Sequence, residues 1–170
     1  DKIANTRGTT IQRLKQILAK IQGVSLEYNQ KSWFLTFDQS VFVDWYHYQQ
    51  WIEELRLHSS DAALQSLCEI IDKPLLPEIE EEWLDLYKAQ TSNDIVDLLM
   101  QQTEMPLVRN NAQKLLLLTD LILTHDELNA DALKLKVQAL ITLNKQSQAR
   151  QTYEINKKKE VFHNSKLLGT

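Results

Sequence analysis

The 170-residue chain is expected to be mainly α-helical, with helical hairpins making up most of its length and one helix plus one β-hairpin ahead of them. Three observations lead there. Helix-forming residues dominate, and only three glycines and three prolines interrupt them, which implies short connections. Apolar residues recur at spacings of three and four through most of the sequence. One stretch alone, around residues 25–37, alternates apolar and polar residues with the period of two of a half-buried strand pair.

From Asn5 the chain reads as an amphipathic, basic helix. Ile11, Leu14, Ile17, Leu18 and Ile21 fall on one side of it. At about 100° per residue, Thr9, Gln12, Arg13, Gln16 and Lys20 fall on the other. Those are residue types that reach bases and phosphates. Gly23 stands where a glycine ends a helix. Leu26 and Tyr28 then alternate with Ser25 and Glu27. Past Asn29-Gln30-Lys31, Trp33, Leu35 and Phe37 alternate with Ser32 and Thr36. The result is a hairpin with one apolar face. A basic helix followed at once by a hairpin is the order of recognition helix and wing in a winged helix-turn-helix.

Charge is distributed unevenly. Residues 1–37 hold six lysines and arginines against Asp1 and Glu27, a net of +4, while the whole chain is −4, so the remainder carries −8. A basic end on an acidic body suits one nucleic-acid-facing end. No apolar run approaches the roughly 18 residues that span a bilayer, and no signal peptide is recognised. The single cysteine, Cys68, excludes an internal disulfide and reads as a buried small residue.

After a polar connector at 38–40, the segment Val41–Leu57 is an aromatic helix, with Phe42, Trp45, Tyr48, Trp51, Ile52 and Leu55 as core or inter-domain packing. Ser59-Ser60-Asp61 caps a helix over 62–71. Lys73-Pro74-Leu75-Leu76-Pro77 breaks it. A helical stretch over 78–103 begins with Glu78, Glu80, Glu81 and Glu82, carboxylates favoured by the macrodipole in a first turn. Its expected buried face is Trp83, Leu84, Tyr87, Ile95, Leu98 and Leu99, and a break around 91–93 is weighed. Helices over 110–123, 130–143 and 147–162 follow, separated by turns at 125–129 and 144–146. Ala112–Leu116 and Ala149–Tyr153 repeat a small-then-large pair 37 residues apart. Alanine lets two helices approach and the large residue fills the gap beside it, as in tetratricopeptide-type hairpins of period about 34.

Two resemblances give this order a meaning. Thr10, Ile11, Arg13, Leu14, Lys15 and Leu18 are similar to the recognition helix of an OmpR-type winged helix, where a hairpin follows. Two helices normally precede that one, so the chain is expected to be the C-terminal half of the domain, over 1–38. Residues 41–170 resemble the tetratricopeptide-like bacterial transcriptional activator domain of SARP-type regulators. The matches are Asp44 and Tyr48, Leu75-Leu76, Trp83, Ala112, Ala149 with Tyr153, and Leu168-Gly169 at the close. The pattern departs from that family at Lys73-Pro74, where a glycine is usual, and at Asp126-Glu127, where Asp-Pro is usual.

The resemblance implies a cytoplasmic transcription regulator that binds double-stranded DNA through the intact winged helix and a protein partner, or itself, through the repeats. The expected DNA-contacting residues are Arg7, Thr9, Gln12, Arg13, Gln16, Lys20 and Lys31. Arg13 or Arg7 reads a base or clamps a phosphate, Gln12 and Gln16 face bases, and Lys31 in the wing touches phosphate. No catalytic, cofactor or metal site is expected, and no membrane contact. There is no Gly-rich phosphate loop or nucleophile elbow, and His47, His58, His125 and His163 lie in unrelated segments. Lys157-Lys158-Lys159 reads as a solvated face. The alternative is a protein-binding scaffold without DNA contact, in which the basic helix packs on the repeats and hides Gln12, Arg13 and Gln16.

Overall fold

A computed structural model describes residues 2–58 and 60–167, with side chains over 8–58 and 60–155 and at Lys157. Among these the chain is mainly helical, with eight helices and one two-stranded antiparallel sheet, in the expected order of helix, hairpin and helical body. It forms two compact units, Asp1–Tyr46 and His47–Thr170. The closing Leu168-Gly169 pair lies outside the described residues.

In the first unit, α1 spans Lys2–Leu18, and a turn over 19–23 leads to β1 (Val24–Asn29) and β2 (Ser32–Phe37). The register pairs Val24 with Phe37, Leu26 with Leu35 and Tyr28 with Trp33, so one face of the ribbon is apolar as the alternation requires. On the other face the Ser25 and Thr36 hydroxyls meet at 2.6 Å. Gly23 is not the cap of α1, which ends five residues earlier. It is needed for two other reasons. Its φ is +81°, and a Cβ there would sit 2.6 Å from both Asp38 Oδ1 and Val41 Cγ2. The Asp38 amide donates to the Gly23 carbonyl at 2.8 Å and closes the ribbon. Phe37 meets Tyr46 edge to face at 5.9 Å, so residues 38–46 go with the hairpin.

The ribbon turns on Gln30 and Lys31, both left-handed at φ 48° and 66°. Such a turn favours Asn-Gly, and an L residue held there costs about 1–2 kcal/mol. Lys31→Gly is therefore expected to stabilise the ribbon by up to about 1 kcal/mol, after glycine's larger unfolded-state entropy is set against it. Slower hydrogen exchange of the β1 and β2 amides would show it; unchanged or faster exchange would count against a strained turn.

The second unit holds the core. It contains α2 (Asp44–Leu57, from His47 onward), α3 (Asp61–Ile70), α4 (Glu82–Thr103), α5 (Pro106–Arg109), α6 (Ala112–His125), α7 (Ala130–Thr142) and α8 (Gln146–Leu167). Side-chain caps start three of them: Ser60 accepts from the Ala63 amide, Asn111 from Gln113 and Lys114, and Asn129 from Ala132. The buried cluster draws Tyr48, Ile52 and Leu55 from α2, Leu64 and Leu67 from α3, Ile95, Leu98 and Leu99 from α4, and Leu115, Leu118 and Ile122 from α6. α6 packs on α4 and α7, and α7 packs on α8. Ala132, Ala139 and Ala149 are buried, the small residues that let consecutive helices approach. α7 ends in a Schellman turn on left-handed Asn144, whose amide donates to Ile141 while Lys145 donates to Leu140.

α4 differs from expectation at its start. It begins at Glu82, so Glu78, Glu80 and Glu81 precede it, and it runs unbroken through 91–93. Trp83 and Tyr87 are exposed beside Leu86, while Thr91, Val96, Gln102 and Thr103 are buried. Phe42 and Trp45 are exposed as well, and so is Tyr153. His125 is less incidental than its isolation in sequence suggests. Its Nε2 lies 2.8 Å from the Ile71 carbonyl, so the ring ties the last turn of α6 to the end of α3.

Buried Tyr48 and half-buried Cys68 predict the alkaline limit of this unit. Desolvation, with Asp94 nearby, pushes the Tyr48 hydroxyl up from 10.0 to about 12, and burial pushes the half-buried Cys68 thiol up from 9.0 to about 11. Both stay protonated in the fold where the unfolded chain has released its protons. Their contribution to stability is complete below about pH 9 and is lost as pH rises through about 11 to 12. The urea midpoint should fall between about pH 8 and about pH 10.5, and Cys68→Ala should remove the first part of that fall. An unchanged midpoint would contradict the burial of both groups.

Candidate nucleic-acid interface

α1 carries three distinct sides. The ribbon packs against one, where Ile11 and Leu18 are half-buried. Lys15 lies on that side too, its ammonium 4.7 Å from the centroid of the Trp33 ring. A second side carries Leu14 and Ile17, 39 and 58 % exposed, and Ile21, in the turn beyond α1 rather than on the helix, is 49 % exposed. The apolar stripe is thus only partly used, and the ribbon covers one flank of it. The third side carries Thr9, Gln12, Arg13 and Gln16, all exposed. Arg13 has no ion-pair partner among the described residues.

Two other expected contacts flank this face. Lys20 is exposed in the turn after α1 rather than on the helix, and Lys31 is exposed at the tip of the ribbon. The Arg7 backbone belongs to α1, but its side chain lies outside the described residues, as do those of Lys158, Lys159 and His163.

Between α1 and the ribbon runs a groove of about 770 Å³. Gly8, Ile11, Gln12 and Lys15 form its helical wall, and Tyr28 and Trp33 form its floor with Lys31 at one end. The two rings are cross-strand partners with centroids 5.0 Å apart. Sequence reasoning placed Tyr28 and Trp33 on an apolar face and Lys15 in a helix motif. It did not bring them together, because that needs the packing angle of helix on ribbon.

No group of three His, Cys, Asp or Glu side chains that could hold a metal occurs among the described residues. No helix among them is long and apolar enough to cross a membrane. No protein-family profile, curated protein or solved structure matches the chain.

Proposed function

We propose that the chain is part of a cytoplasmic DNA-binding transcription regulator, with α1 as its recognition helix and the ribbon as its wing. The observation that carries this reading is the exposed row Thr9, Gln12, Arg13 and Gln16 on one side of a helix, with exposed lysines at 20 and 31. In the major groove, Arg13 hydrogen-bonds a base edge or a phosphate, Gln12 and Gln16 face base edges, and Lys31 meets the backbone. The uncovered Leu14, Ile17 and Ile21 support a winged helix completed by further helices packed on that side. The chain alone then binds weakly, and its helical body pairs with a protein partner or with itself.

Duplex binding by the chain at about 50 and about 200 mM salt tests this. Weak affinity that falls about tenfold or more over that range is expected from a few phosphate contacts. Absent or salt-independent binding would contradict it.

A second reading, a protein-binding scaffold without DNA contact, draws on the exposed Trp83, Leu86 and Tyr87, which share one side of α4.

A further inference from the structure

We propose that the groove between α1 and the ribbon binds an unpaired nucleotide of a single nucleic-acid strand, at a site that adjoins the duplex-facing side of α1 and shares Gln12 and Lys31 with it. Three features of the groove select this ligand class. Its floor is aromatic and open: Tyr28 is 60 % and Trp33 40 % exposed. Among the described residues its charged ones are Lys15 and Lys31, and no described carboxylate lines it. Its volume, about 770 Å³, falls in the range of small-ligand sites.

These features divide the work. Lys15 already rests on the Trp33 ring, so its ammonium is held in place at the groove wall and a base stacks on the more exposed Tyr28. Base–aromatic stacking tolerates any sequence, because every base has a π-face. The ammonium groups of Lys15 and Lys31 meet the phosphates on either side of that base. Gln12 supplies the one neutral polar group on the wall. The wall is open at Gly8, where a Cβ would meet nothing within 4 Å. A duplex cannot use this floor, because its bases are stacked on one another and its edges alone are presented. An acidic peptide would satisfy the lysines but leave the rings unused.

The test uses the whole chain, a labelled oligothymidylate of about 12 nucleotides and a duplex of equal length, with affinity read by anisotropy. Tyr28→Ala is expected to weaken single-strand binding about tenfold, as loss of one stacked base does, and to leave duplex binding unchanged. Tyr28→Phe, which keeps the ring, should bind like the parent and shows that the ribbon tolerates change at this position. Lys15→Gln should weaken single-strand binding while keeping the stem over Trp33. Arg13→Glu should do the converse, weakening the duplex and sparing the single strand. Binding that survives Tyr28→Ala would overturn the proposal. So would displacement of the oligonucleotide by polyglutamate of equal charge, which would make the groove a general anion site. Absence of duplex binding by the unsubstituted chain, with single-strand binding intact, would instead sink the recognition-helix reading and leave this one standing.

Discussion

Leu99→Ala is expected to destabilise the helical unit by about 2–5 kcal/mol, the largest effect of any single truncation considered for this protein. Leu99 has no solvent exposure, and its cluster contains Leu67, Leu118 and Ile122, each at most 1 % exposed. Truncation removes three carbons from a close-packed interior and leaves a cavity that the helices around it close only in part. With a urea slope of about 1–3 kcal/mol per M, the unfolding midpoint should drop by about 1 M or more at constant slope. Leu117→Ala is the matched control. It deletes the same atoms from a half-exposed position on α6, and should cost less than about 1 kcal/mol. Equal midpoints for the two variants would mean that α4 is not packed against this core.

The largest functional effect is expected at Arg13. Arg13→Glu exchanges a cation for an anion on an exposed helical surface. Because no described residue pairs with the guanidinium, the fold should lose almost nothing. Duplex affinity should fall about tenfold or more, and the logarithmic salt slope should shrink by about one for the lost phosphate contact. Arg150→Glu, on the exposed side of α8, makes the same charge change in the other unit and should leave duplex affinity within about twofold. If the two variants weaken binding equally, net charge rather than α1 governs the interaction.

Much of the architecture was legible because it depends on local rules. The apolar spacing over 11–21, the alternation over 26–37, and the cap cluster at 59–61 each correspond to an element or boundary that is present. What escaped depends on contacts between elements. A periodic stripe shows that a helix has an apolar side, but not which other element covers it. Trp83 and Tyr87 share helical spacing with Leu84, yet only Leu84 is buried in that part of α4. Leu14 and Ile17 share a stripe with Leu18, yet the ribbon covers only Leu18's flank. Gly23 shows a different limit. A glycine near a helix end suggests a cap, whereas the close approach of Asp38 and Val41 comes from chain 15 or more residues away. The groove was illegible for the same reason: Lys15 and Trp33 are 18 positions apart, and only the docking of helix on ribbon brings them to 4.7 Å.

The claim that α1 is a DNA-reading helix is tested most directly by amide and side-chain NMR shifts of the chain as a duplex is added at low salt. The account predicts shifts confined to Thr9, Gln12, Arg13, Gln16, Lys20 and the Gln30-Lys31 turn, shrinking as salt rises from about 50 to about 200 mM. Shifts that instead gather on α6, α7 and α8, or none at all, would contradict it.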